Sequence, residues 1–135
     1  YLTKLFFKFM CPILIKTLIK LKNASYLQQE IVYLNFNVKY FKILKILYHN
    51  GFIQGFKIDF QNFQTIIYLR FFQNKKKIDN LKFLSIPSHY HFISFFDLSL
   101  INNKKIFILL STNKGLKTLY ECKKEKIGGK LLFLI

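Results

Sequence analysis

The sequence predicts an α/β protein of the α+β kind, built as two small modules, and three observations carry that expectation. Apolar residues recur at helical spacing in two segments of the first half. Short runs of β-branched and aromatic residues dominate the second half, and breaks rich in Asn, Gly, Ser and Lys separate the runs. With 52% hydrophobic residues and 17 phenylalanines among 135, the chain has ample material for a core and is no disordered tail.

Taken in order, Pro12 suits the first turn of a helix over 12–22, with Ile15, Leu18, Ile19 and Leu21 as apolar surface and Asn23 as its stop. Residues 31–34 are strong β-formers and read as a strand. Phe41, Leu44 and Leu47/Tyr48 recur at helical spacing, which predicts a second helix over 38–49 ended by Asn50-Gly51. Segments 52–60 and 63–72 read as a hairpin joined at Gln61-Asn62, with Gln64, Tyr68 and Arg70 outward and Ile66 packed inward. These elements form an N-terminal α-β-α-β-β module over 1–73.

Asn74 followed by Lys75, Lys76 and Lys77 marks an exposed hinge, because clustered ammonium groups resist burial. Short strands are then expected over 81–86 and 89–95 around Pro87-Ser88, with a break at Asn102-Asn103. The apolar run 106–110 is a strong strand candidate and 117–126 a short helix. Gly128-Gly129 leads into a terminal strand over 130–135. The C-terminal module, 74–135, is β-rich with one short helix.

The formal charge of +16 is spread along the chain rather than gathered in a tail. Residues 1–74 hold ten basic groups against Glu30 and Asp59; residues 75–135 hold twelve against Asp79, Asp97, Glu121 and Glu125. Such a surface attracts phosphate without specifying a base sequence. A solvated Lys-rich surface from a genome biased toward Lys, Asn, Ile, Phe and Tyr is the plainer alternative. Cys11 and Cys122 stand far apart, which fits a reduced compartment and supports no zinc site. His89 and His91 share one side of an extended segment but lack a nearby Cys, Asp or Glu, so they read as surface or packing residues, and neither metal nor cofactor is expected. The apolar stretch 9–15 lies between Lys8 and Lys16 and falls short of the roughly 18 residues of a membrane span. The basic, Phe-rich beginning stays open to reading as a targeting peptide, and 5–22 as a membrane-surface or protein-docking module.

Ser111-Thr112-Asn113-Lys114-Gly115 reads as a small polar turn directly after the apolar run. Hydroxyls, an amide, an ammonium and backbone N–H groups on a rigid strand suit a polyanion such as RNA or DNA. The alternative is that Ser111 or Thr112 merely caps a helix starting near Lys117. No enzyme follows from these residues: Ser111 has no argued His-Asp pair, and the turn lacks the glycine pattern of a nucleotide-hydrolase phosphate loop.

These residues, followed by Lys126-Ile127-Gly128-Gly129 and a final hydrophobic strand, resemble the universal small-subunit ribosomal protein number eight family. Asn113 stands where that family often has a second Ser. Lys20-Leu21-Lys22-Asn23-Ala24 looks like the family's first-helix ending with Ala24 for Gly, and 47–53 fits its second helix and Gly-Phe-Ile strand entry. Ser85-Ile86-Pro87-Ser88 resembles its Ser-basic-Pro-Gly.

The resemblance implies a structural, non-enzymatic constituent of the small ribosomal subunit that binds small-subunit ribosomal RNA. Its partners would be that RNA and neighbouring small-subunit proteins, with no homo-oligomer and no membrane span. RNA contacts would come from Lys20, Lys22, Asn23, Ser85, Pro87, Ser111, Thr112, Asn113, Lys114, Gly115, Gly128 and Gly129. The composition, with Arg and Gly positions diverged, points to a mitochondrial member ahead of a plastid or bacterial one.

Overall fold

A computed structural model describes residues 12–72, 75–76, 78–102 and 106–135. It divides into two compact units, Ile13–Asn80 and one containing Leu81–Ile135. The expected architecture is present: a mixed first unit and a β-rich second unit with short helices. Expectations for residues 1–11, including Cys11, and for Asn74, Lys77 and Asn103 lie outside the described residues.

The first unit opens with α1 (Pro12–Tyr26), whose Leu14, Leu18 and Leu21 form a buried stripe at i, i+4 and i+7. Asn23 does not stop this helix. Ala24 and Ser25 beyond it are buried, and termination comes at Gln28, whose φ of 58° is left-handed while Gln29 N–H bonds back to Ala24 O at 2.9 Å. Burial of Ala24 and Ser25 outweighs the capping preference of Asn23.

β1 (Ile31–Asn35) alternates exposed and buried residues, and α2 (Val38–His49) has the expected bounds, capped by the Asn37 side chain. Asn50 and Gly51, with φ of 74°, end it. β2 (Ile53–Asp59) and β3 (Gln64–Leu69) complete an antiparallel sheet in the order β1-β3-β2.

The hairpin connection is longer than the expected Gln61-Asn62. It spans 60–63, with Asp59 Oδ1 accepting from Gln61 N–H at 3.0 Å and Phe63 at a φ of 49°. Ile66 is not an inward residue either. Thr65, Ile67 and Leu69 occupy the core face, and Ile66 shares the outer face with exposed Tyr68, as the two-residue period requires. Tyr40 anchors helix to sheet: its hydroxyl donates to Asn35 O and lies 3.1 Å from Thr65 Oγ1. Phe56 of β2 meets Phe41 and Tyr48 of α2 edge-on, with ring centroids 5.1 and 6.3 Å apart. The expected strand 63–72 breaks at Arg70. β4 (Phe71–Phe72) then pairs antiparallel with β5 (Lys75–Lys76), so part of the expected hinge is a small hairpin.

In the second unit the expected strands 81–86 and 89–95 shrink to β6 (Lys82–Phe83), β7 (Phe92–Ile93) and a lone bridge between Ile86 and His89 around Pro87-Ser88. Residues after Ser94 form an unforeseen helix, α3 (Phe95–Leu100), capped by Ser94. The expected 106–110 strand lies two residues later as β8 (Ile108–Thr112). β9 (Gly115–Thr118) replaces the expected start of the next helix, α4 (Leu119–Glu125), whose entry is fixed by a Thr118/Glu121 capping box.

β10 (Gly129–Leu134) pairs with β8 on one side and with both β6 and β7 on the other. Leu98, Ile108, Leu110 and Cys122 form the core on the helix-covered face, with Leu84, Ile93, Ile101, Leu119, Leu131 and Leu134 around them. Among the described residues, no helix is long and apolar enough to cross a membrane.

Candidate nucleic-acid interface

The polar segment is the end of a β-hairpin rather than a loop. Ser111 pairs with Leu116 and Thr112 with Gly115, which leaves Asn113-Lys114 as a two-residue turn. Gly115 has a φ of 108°, a conformation that side chains rarely adopt, so glycine is required by the backbone here. The Thr112 hydroxyl donates to Gly115 O at 2.9 Å and accepts from Lys114 N–H at 3.2 Å. Ser111 and Thr112 are buried, whereas Asn113 and Lys114 are exposed. Neither hydroxyl caps a helix; Thr118 does that, which overturns the capping alternative.

The glycines set the spacing of this patch. A Cβ on Gly129 would stand 2.7 Å from Ser111 O and 3.0 Å from Thr112 Cγ2. One on Gly128 would stand 2.6 Å from Ile93 O. The two residues therefore thread β10 between the backbones of 93–95 and 111–112. The 85–91 turn joins the same patch: Ser85, fully buried, accepts from His91 N–H at 3.0 Å through Oγ, and Leu131 N–H donates to His91 O at 2.9 Å. Ser85 thus holds the turn, while Pro87 is exposed at its tip. The His89 and His91 rings lie 4.5 Å apart, edge to face.

Charge is arranged around the hairpin. Glu125 receives Lys117 through a short contact and has Lys114 Nζ at 3.5 Å. The Lys117 hydrogen bond holds the Glu125 carboxyl below its usual value and raises Lys117. Lys130, opposite Ser111 in register, is buried with its Nζ 3.2 Å from the Tyr90 ring centroid. Burial pushes this ammonium below the ordinary lysine value. Both residues escaped sequence reasoning. The only available signal was a lone lysine after Gly-Gly in an otherwise apolar strand.

Lys20, Lys22 and Asn23 belong to the first unit, on α1. Lys20 Nζ donates to Tyr33 O at 2.8 Å, Lys22 is half-buried and Asn23 is exposed. Ser85, Pro87, Ser111, Thr112, Asn113, Lys114, Gly115, Gly128 and Gly129 all lie in the second unit. Among the described residues there is no cluster of three His, Cys, Asp or Glu that could hold a metal ion. The arrangement offers hydrogen-bond donors and positive charge on a paired ladder.

The family model described as "Ribosomal protein S8" matches residues 13–135. The chain is similar to small ribosomal subunit protein uS8c of Tupiella akineta, 34% identical over 85% of this chain and 90% of that protein. It is similar to uS8m of Acanthamoeba castellanii, 36% identical over 69% and 74%, and to uS8 of Mycoplasmopsis pulmonis, 28% identical over 87% and 91%. Such relatives span mitochondrial, chloroplast and bacterial proteins. A match running from the first turn of α1 to the last strand, through both units and the hairpin, means that the chain belongs to the ribosomal protein S8 family.

Proposed function

We propose that the protein is a structural constituent of the mitochondrial small ribosomal subunit that stabilises a helical junction of small-subunit ribosomal RNA. The family is structural rather than catalytic, and its generic role in RNA binding is the ground on which the finer reading stands. The observation that carries the reading is the hairpin. Asn113 and Lys114 project from a two-residue turn between β8, which is paired on both flanks, and the edge strand β9, and the threonine is spent on the turn itself. In this reading Lys114 neutralises a phosphate and Asn113 meets sugar or base edges. Ser111, Thr112, Gly115, Gly128 and Gly129 set the close approach of backbone, and Ser85 and Pro87 shape the adjoining turn.

Lys20, Lys22 and Asn23 supply a separate contact from a module over 1–73, and 74–135 is the main RNA-binding module. Neighbouring small-subunit proteins are the remaining partners. The mitochondrial assignment rests on the Phe-, Tyr-, Ile- and Lys-rich composition.

The test compares binding of an in vitro transcript of the small-subunit rRNA junction with binding of a scrambled duplex, across salt concentrations. Lys114→Ala is expected to weaken binding and lower the log-log salt slope by about one unit or less. Asn113→Ala should narrow the preference for the junction. Circular dichroism should be unchanged for both, since each side chain is exposed. Equal affinity of the parent for junction and scrambled duplex would reject the reading.

A further inference from the structure

Lys130 is the most anomalous side chain of the second unit. It is 1% exposed, yet among the described residues its Nζ has no hydrogen-bond partner. An ammonium taken out of water without acceptors is costly, and a tyrosine face offsets only part of that cost because it offers no lone pair along an N–H direction. The position is not arbitrary. Lys130 faces Ser111 across the sheet, and Gly129 beside it lies against Ser111 O and the Thr112 methyl.

The cover faces solvent, whereas the backbone that carries it is hydrogen-bonded into the fold. Tyr90 keeps 42% of its surface exposed, while the backbone of its neighbour His91 is pinned at both ends, by Ser85 Oγ and by Leu131 N–H. Tyr90 is thus a solvent-exposed ring over a buried ammonium, on a backbone held by the ladder.

We propose that Lys130 is a covered phosphate ligand: Tyr90 shields its ammonium in the free protein, and a backbone phosphate of bound RNA displaces the ring and supplies the missing acceptors. A nucleic-acid backbone suits the site, since its phosphate oxygens take the ammonium and the hairpin beside Lys130 is already the proposed RNA contact. This inference rests on the RNA-binding reading above and names one contact within it.

The consequence is a trade of stability against binding, which separates it from a packing role. Lys130→Met in the full chain should raise the melting temperature, since a buried charge is replaced by an apolar chain of similar length. The same variant should weaken binding of the small-subunit rRNA junction transcript roughly tenfold and lower the salt slope by about one unit. Tyr90→Ala removes the competitor for the ammonium and should tighten junction binding by roughly threefold or more. Lys130→Met with parental affinity and slope would overturn the inference while leaving the RNA-binding reading intact, provided the parent still prefers the junction over the scrambled duplex. Loss of that preference in the parent would defeat the broader reading instead. If Lys130→Met fails to fold, Tyr90→Ala decides: unchanged or weakened binding would overturn the covered-ligand assignment.

Discussion

Replacing Gly128 by alanine should destabilise the second unit far more than a methyl group ordinarily does. The new Cβ would stand 2.6 Å from Ile93 O, about 0.8 Å inside the 3.4 Å at which ordinary contact begins, and 3.2 Å from both Ser94 C and Phe95 N. All three are backbone atoms, so no side chain can swing aside. Overpacking of this kind costs about 1–3 kcal/mol. At roughly 4 °C per kcal/mol, the melting temperature falls by roughly 4–12 °C. Gly55→Ala is the internal control, since nothing lies within 4 Å of its Cβ position and its φ is not positive. It should melt with the parent or slightly above it. Thermal unfolding followed by circular dichroism and calorimetry measures both. A Gly128→Ala protein melting within about 1 °C of the parent would refute the threading of β10 between two backbones.

Other expectations follow from individual contacts. Thr118→Ala removes the hydroxyl that accepts from Glu121 N–H and donates to the Glu121 carboxylate, while the backbone Thr118 N–H keeps its bond to that carboxylate; it should cost about 1 kcal/mol by urea unfolding, with Thr118→Ser recovering most of it. Glu125 is held below its ordinary pKa of 4.5 by Lys117, so its contribution is present above that value and is lost as pH falls through the depressed one. Lys117 is raised above 10.5, so its contribution is lost only as pH climbs past that value. Glu125→Gln should therefore match the parent's stability in acid and fall below it at neutral pH, and a constant gap from pH 2 to 7 would count against the pair. Burial pushes the Cys122 thiol up to about 11. In a Cys11→Ser background it should resist iodoacetamide at pH 8 until denaturant is added, and labelling of the folded protein at the rate of a free thiol would show that the core around Leu98 and Leu110 opens.

Where several local signals agreed, the sequence was a sound guide. In α2 the apolar period ran across three turns, and Asn50-Gly51 supplied a left-handed exit, so both ends of the helix were readable. Where tertiary pairing chose between options, it was not. Ser111 and Thr112 look like turn residues, yet two flanking strands hold them in β8; the signal for the turn lay in Gly115, the position that must take a positive φ. Residues 115–118 carry no strong strand signal and were absorbed into the following helix. α3 is too short for periodicity to reveal, although Ser94 with Asp97 three residues on is a cap signature. Of the candidate interface, the turn at Asn113-Lys114 with Gly115 was legible as a turn because its geometry is local. The burial of Ser85 and Lys130 was not, because it depends on strands brought together from distant parts of the chain.

The placement of β10 also governs the order in which the second unit can assemble. β8 and β9 are adjacent in sequence and close a tight hairpin by themselves, a fast local event. β6 and β7 have no such local option among the described strands: each pairs only with β10, Phe83 meeting Phe133 from 50 positions away in the chain numbering. Both must wait, unzipped, until β10 has been made and docked against β8. Loop closure over that span is paid before its contacts are gained. The first strands of this unit to leave the site of synthesis are thus among the last to become protected, and an emerging chain presents Phe83 and Phe92 to its surroundings throughout that interval.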